Sequence, residues 1–133
     1  MMKPESITII LPLPARVLSP NCPIFSPRGR MMKAAAAKRY RRITKEKVED
    51  AKIETSPWDM AEISVTFFHK VKRRRDSDNY QSMLKSAYDG LVDAKLLVDD
   101  DSKHLKRNEP MFEIDKLYPR VEMTVERIEK EKR

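Results

Sequence analysis

Between residues 61 and 95 the spacing of apolar side chains changes period, and that change limits the folds open to the chain. Ile63, Val65 and Phe67 alternate with Glu62, Ser64 and Thr66, the period-two pattern of a half-buried strand over 61–71. Tyr80, Leu84, Ala87, Tyr88, Leu91 and Val92 then recur at helical spacing, which predicts an amphipathic helix over 78–95. Asp76, Ser77 and Asp78 stand at its start and supply N-cap chemistry. A strand feeding a helix, each with one apolar face, needs a second layer to cover it.

The flanking segments complete that layer. Residues 5–11 are β-branched between Pro4 and Pro12 and read as a first strand. Residues 12–29 hold five prolines, Asn21 and Gly29, an extended loop long enough to invite a function. Residues 31–52 have neither glycine nor proline and read as a helix with a basic exposed face. Ser56-Pro57 breaks the chain, and Trp58 reads as a packing anchor. Met111 to Ile114, within 103–115, reads as a strand; Val121, Met123, Val125 and Ile128 suggest a last one. The tail after 128 is expected to fray. The order β-α-β-α-β-β, without internal repeats, gives an α+β class: two main helices packed on a small mixed β-sheet, in one domain over residues 1–133.

With no apolar run of the length a span requires, no membrane segment is expected. Ile7 to Leu11 is too short for a signal-peptide core, so the expected location is cytoplasmic. Cys22 is the only cysteine, which excludes an internal disulfide and a cysteine-based zinc cluster. The two histidines, His69 and His104, lie far apart, and the sequence names no partner for either. A bound metal would therefore take mostly oxygen ligands, as Mg²⁺ or Mn²⁺ does.

The net charge is +7, from 28 Lys+Arg against 21 Asp+Glu, and it is unevenly placed. Arg28 to Arg42 contains bases and no acid, and Lys70 to Arg75 adds a second basic block. Such blocks suit a polyanion, since cations that meet phosphates release counterions. A solvated basic surface accounts for the charge alone equally well. Arg28, Arg30, Lys33, Lys38, Arg39, Arg41, Arg42, Arg73, Arg74 and Arg75 are the candidates for backbone phosphate contacts, which position nucleic acid without reading it.

The acids gather at Asp76–Asp78 and Asp99–Asp101. Asp76 and Asp78 serve equally as helix caps, and Asp99–Asp101 as a solvated turn. Spacing does not unite the two groups, because the intervening helix separates them. If the fold does unite them, carboxylates at one point repel one another and need a counterion or protons. Arg73-Arg74-Arg75 abutting Asp76 places phosphate-binding groups beside metal-binding ones.

One resemblance covers roughly residues 5–128. Arg74-Arg75-Asp76-Ser77-Asp78-Asn79, then Leu84-Lys85, Asp89-Gly90-Leu91 and Val98-Asp99-Asp100-Asp101, resemble the pattern of the RusA family of Holliday-junction resolvases. Leu11-Pro12-Leu13-Pro14, Ser19-Pro20-Asn21 and the basic run 28–42 are similar to that family's opening strand, loop and first helix. The resemblance implies a magnesium-dependent endonuclease, with Mn²⁺ able to substitute. It would work as a homodimer on four-way branched DNA in recombination and repair, nucleoid-associated, leaving 5′-phosphate and 3′-hydroxyl ends. The family's essential carboxylates fall on Asp76, Asp78 and Asp100, with Asp99 or Asp101 as alternative registers for the last. Its catalytic lysine falls on Lys85, although the gap from Asn79 to Lys85 is about one helical turn longer than in the best-known form. Phe25, in the proline-rich loop, is a candidate junction wedge or a packed aromatic, and Asn21 a loop-ordering or a turn residue. The alternatives are a non-catalytic basic nucleic-acid-binding protein with structural aspartates, a metal-dependent nuclease of another preference, and a basic assembly protein.

Overall fold

The structure, a computed structural model, describes residues 5–53 and 56–128. The expected fraying of the tail after 128 lies outside the described residues. The elements are β1 (Ser6–Leu11), α1 (Pro27–Asp50), β2 (Ala61–His69), α2 (Ser77–Met83), α3 (Lys85–Asp93), β3 (Leu105–Arg107), β4 (Met111–Ile114) and β5 (Arg120–Arg127), with one 3₁₀ turn at Arg16–Leu18. This is the expected α+β arrangement, with the helices on one mixed sheet. None of the helices is long and apolar enough to cross a membrane.

β5 lies between β1 and β2 and pairs antiparallel with both. The other edge of β2 carries two short strands in succession, β3 against Ala61–Ile63 and β4 against Thr66–His69, both parallel. Asn108 fills the gap between them. Its N–H donates to the Ile63 carbonyl (3.0 Å), and its side-chain amide to Glu62 (2.8 Å) and Ser64 (2.9 Å). The alternation read from the sequence points inward as expected, with Ile63, Val65 and Phe67 buried against Val121, Met123 and Val125. Trp58 is buried as an anchor, its indole N–H donating to Glu5 at 2.8 Å.

Two helix boundaries differ from expectation. α1 begins four residues before the expected start, shortening the proline-rich loop 12–29 to 12–26. The cause is local: Ser26 Oγ accepts the Gly29 N–H at 3.1 Å, and Pro27 occupies the first turn, where its missing N–H costs nothing. The helix expected over 78–95 is two segments, α2 and α3, meeting at Leu84. There the Leu84 N–H bonds Gln81 O at 3.1 Å, a tightened turn, and the ladder resumes with Tyr88 N–H on Leu84 O at 3.0 Å.

The end of α3 decides where the second acidic run goes. Lys95 is left-handed (φ 63°). Its N–H bonds Val92 O (2.9 Å), and the Leu96 N–H reaches back to Leu91 O (3.1 Å), the paired bonds of a Schellman reversal. Trp58 then clamps the returning chain, donating to Leu96 O at 2.8 Å and accepting from Val98 N–H at 3.0 Å. Asp99–Asp101 is thereby turned back along α3 instead of projecting beyond it.

Candidate functional site

Asp76 caps α2. Its Oδ1 accepts the N–H groups of Asp78 (2.9 Å) and Asn79 (3.2 Å). This is the capping role the sequence allowed, and it leaves Oδ2 without a partner among the described residues. Asp78, in the first turn, is exposed, and its carboxylate takes no hydrogen bond from the described residues.

Asp100 is the opposite case. It is only 9% exposed, although its neighbours Asp99 and Asp101 are open to solvent. Lys85 Nζ donates to Asp100 Oδ2 at 2.6 Å and to Asp89 Oδ1 at 2.9 Å. Arg107 Nη2 lies 3.7 Å from Asp100 Oδ2 and donates to the Asp100 carbonyl at 2.8 Å. Burial pushes the Asp100 carboxyl up, but the Lys85 hydrogen bond and charge, with help from Asp99 and Arg107, outweigh it and leave it below the usual carboxylate range. The same contacts, with Asp100 first and Asp89 second, raise Lys85. The counterion expected at the carboxylates is therefore in place for Asp100, and it is a lysine.

The first acidic group lines a cavity to which the second is linked through Lys85 and Arg107. A cleft of about 530 Å³ is lined by Asp78, Gln81, Ser82, Lys85, Tyr88 and Arg107. Lys85 joins it to Asp100 behind. The structure thus brings Asp78, Lys85 and Asp100 into one neighbourhood, with Asp76 at the adjoining cap. It does not draw the three aspartates to a point. Among the described residues, the side chains whose ligand atoms lie within 4.8 Å of one another are Asp99, Asp101 and His104. His104 Nδ1 is 2.6 Å from Asp101 Oδ1, and Nε2 is 3.8 Å from Asp59, so His104 has the partners that the sequence did not name.

As a donor set, Asp76, Asp78 and Asp100 suit a hard divalent ion. Asp78 and the second oxygen of Asp76 have no hydrogen-bond partner among the described residues, whereas Asp100 would be available only when Lys85 gives up its bond. Two signals for this site were absent from the sequence. Arg107 enters from a three-residue strand without periodicity, and Gln81 and Tyr88, hydrogen-bonded to each other, read only as helix residues.

The basic candidates divide. Arg28, Arg30, Lys38, Arg39, Arg73 and Arg74 are exposed and Lys33 is half-buried, and none has an ion-pair partner among the described residues. Arg41 is tied instead to Asp93 by two bonds of 2.5 and 2.8 Å across the α1–α3 contact. Arg42 pairs loosely with Glu46. Arg75 donates to Tyr80 Oη (2.8 Å) and Val71 O (3.1 Å), so it holds the turn into α2. Phe25 is 92% exposed beside Arg28.

His69 and Cys22 remain without a chemical role. His69 is packed among Phe67, Tyr80 and Phe112, and its Nδ1 has no hydrogen-bond partner among the described residues. No family model matches the chain, and no curated protein matches it.

Proposed function

We propose that this protein is a metal-dependent endonuclease that resolves four-way DNA junctions by paired nicks, acting as a homodimer in recombination and repair. The observation that carries this reading is the shared cleft: the free carboxylate of Asp78 and the ammonium of Lys85 line it together, and Lys85 is bonded to the buried Asp100. The resemblance of the Asp76–Asn79 and Asp99–Asp101 segments to the RusA pattern supports the same reaction.

In this reading Asp76, Asp78 and Asp100 would hold Mg²⁺, or Mn²⁺ in its place, once Lys85 releases Asp100. When bound, the cation supplies acidity to the attacking water and charge to the departing oxygen. Water oxygen bonds to phosphorus, the P–O3′ bond breaks, and the 3′-oxygen leaves with a proton. Asp76 sets the pitch of α2 through its cap and so aims Asp78. Lys85, once released from Asp100, offers positive charge to the crowded phosphate. Arg28, Arg30, Lys33, Lys38, Arg39, Arg73 and Arg74 steady the backbone of the arms, and exposed Phe25 is the wedge at the crossover.

The test is cleavage of a synthetic four-way junction against linear duplex, with and without Mg²⁺. Asp78→Asn is expected to lose cleavage while keeping junction binding. Full cleavage by Asp78→Asn sinks the assignment.

One observation favours a second reading, a non-catalytic nucleic-acid-binding protein. Asp76 caps α2 through one oxygen, and Asp100 is paired with Lys85, as structural aspartates would be. That reading expects binding with no Mg²⁺-dependent product.

A further inference from the structure

We propose that Arg107 is a positioning residue that holds a phosphate of the nucleic-acid strand in the cleft lined by Asp78 and Lys85. This inference rests on the nuclease reading for the identity of the strand, but not for the contact itself.

Three features together set Arg107 apart from Lys85, the other cation lining the cleft. Its plane is fixed: the guanidinium carbon lies 4.5 Å from the centroid of the Tyr88 ring, and Nη2 is anchored on the Asp100 carbonyl at 2.8 Å. Tyr88 is itself buried, so the stacking platform does not move. A guanidinium carries several N–H donors in a rigid fork, and among the described residues only the Asp100 carbonyl takes one. The fork is therefore preorganised with donors to spare, the condition under which bidentate recognition of an oxyanion costs least entropy.

The charge balance of the cleft points the same way. Lys85 is neutralised by two carboxylates, those of Asp89 and Asp100, at 2.9 and 2.6 Å. Arg107 meets only the Asp100 carboxylate, at 3.7 Å, and that carboxylate is already engaged by the shorter Lys85 bond. An anion entering the cavity thus finds Arg107 as its least compensated cation. The phosphate it holds lies in the same cavity as Asp78, so the contact sets the register of the strand relative to the reacting groups. A phosphodiester oxygen pair fits the fork; a neutral base edge would leave its charge unanswered.

The bland role is a strut that fastens the Asp100 turn to α3. A strut affects folding and leaves salt dependence alone. The test therefore measures junction binding by the full chain across a salt series without Mg²⁺, and junction cleavage with Mg²⁺, for wild type, Arg107→Gln and Arg107→Lys, each checked by thermal melting. Arg107→Gln is expected to weaken binding about tenfold and to lower the slope of log Kd against log salt by about one. Arg107→Lys is expected to keep the slope, yet to lose several-fold in kcat with little change in KM, because the charge remains and the fork does not. Wild-type slope and affinity in both variants, whatever their melting temperatures, would overturn the proposal. If Arg107→Gln loses its unit of slope while wild type cuts no junction, the contact stands and the nuclease reading fails. If wild type cuts and the slope is unchanged, Arg107 alone is misassigned.

Discussion

Lys85 Nζ sits 2.6 Å from Asp100 Oδ2, the shorter of its two ion pairs, and it occupies the carboxylate that a metal would need. In the proposed metal site, lysine and cation would therefore compete for one oxygen. Lys85→Met is expected to raise Mn²⁺ affinity roughly tenfold, because Asp100 loses its counterion and must find another. Titration calorimetry reads this directly, apart from any cleavage. Equal affinity in wild type and variant would show that Asp100 is not a ligand.

Gly90 is where α3 meets α1 most closely. A Cβ added there would stand 2.5 Å from the Arg41 carbonyl and 2.8 Å from Thr44 Cβ. Backbone on one side and a fully buried threonine on the other leave little to move. Gly90→Ala is expected to cost about 1–3 kcal/mol despite the better helix propensity of alanine. Urea unfolding checks this; a gain in stability would mean that the helices separate freely.

His69 makes stability depend on pH in a window of its own. Burial, and then the charge of Arg75, lower its pKa from 6.5 to about 4. Above 6.5 the imidazole is neutral in both folded and unfolded chains, and nothing is lost. As pH falls from 6.5 towards 4, the unfolded chain takes up a proton that the folded one refuses. Folding is penalised progressively, by about 3 kcal/mol when complete. The carboxylates held low by their partners, Asp93 and Asp100 among them, release their stability only below the usual carboxylate range. His69→Phe, which keeps the stack on Phe67 and Phe112, is expected to flatten the upper window alone. A melting curve series with the same slope in both proteins would contradict a buried neutral imidazole.

Arg73 and Arg74 are exposed before α2, with no ion-pair partner among the described residues, whereas Arg75 is tied to Tyr80 and Val71. Replacing Arg73 and Arg74 together by alanine is expected to lower the salt slope of DNA binding by about two with no change in melting temperature. Arg75→Ala should instead lower the melting temperature. Reversal of that division would show the turn to be misread.

Much of the fold was legible because periodicity reports burial. Ile63, Val65 and Phe67 announced β2, and the apolar stripe from Tyr80 to Val92 announced α2 and α3. The early start of α1 was also written in Ser26-Pro27, a cap and a first-turn proline, but the density of prolines before it masked the signal. The two-strand edge of β2 was not legible, since parallel pairing joins Ala61 to Leu105 and Thr66 to Met111 over distances that local pattern cannot see. For the site, the aspartates stood out by type. Their roles did not: that Asp100 turns inward while Asp99 and Asp101 face water follows from the Schellman reversal at Lys95, and left-handed lysine has no sequence signature.

The position of β5 has a consequence for how the chain is made. Among the described residues it is the last strand, yet it lies between β1 and β2 and pairs with both, through Val121 to Glu126 with β1 and through Arg120 to Arg127 with β2. Synthesis runs from the amino end, so β1 and β2 emerge as strands without a common neighbour, each presenting buried-type residues such as Ile9 and Val65 to solvent. The sheet closes only when Val121, Met123 and Val125 arrive to fill its middle. Until β5 is available, the edges of β1 and β2 that it pairs stand open to association with another chain.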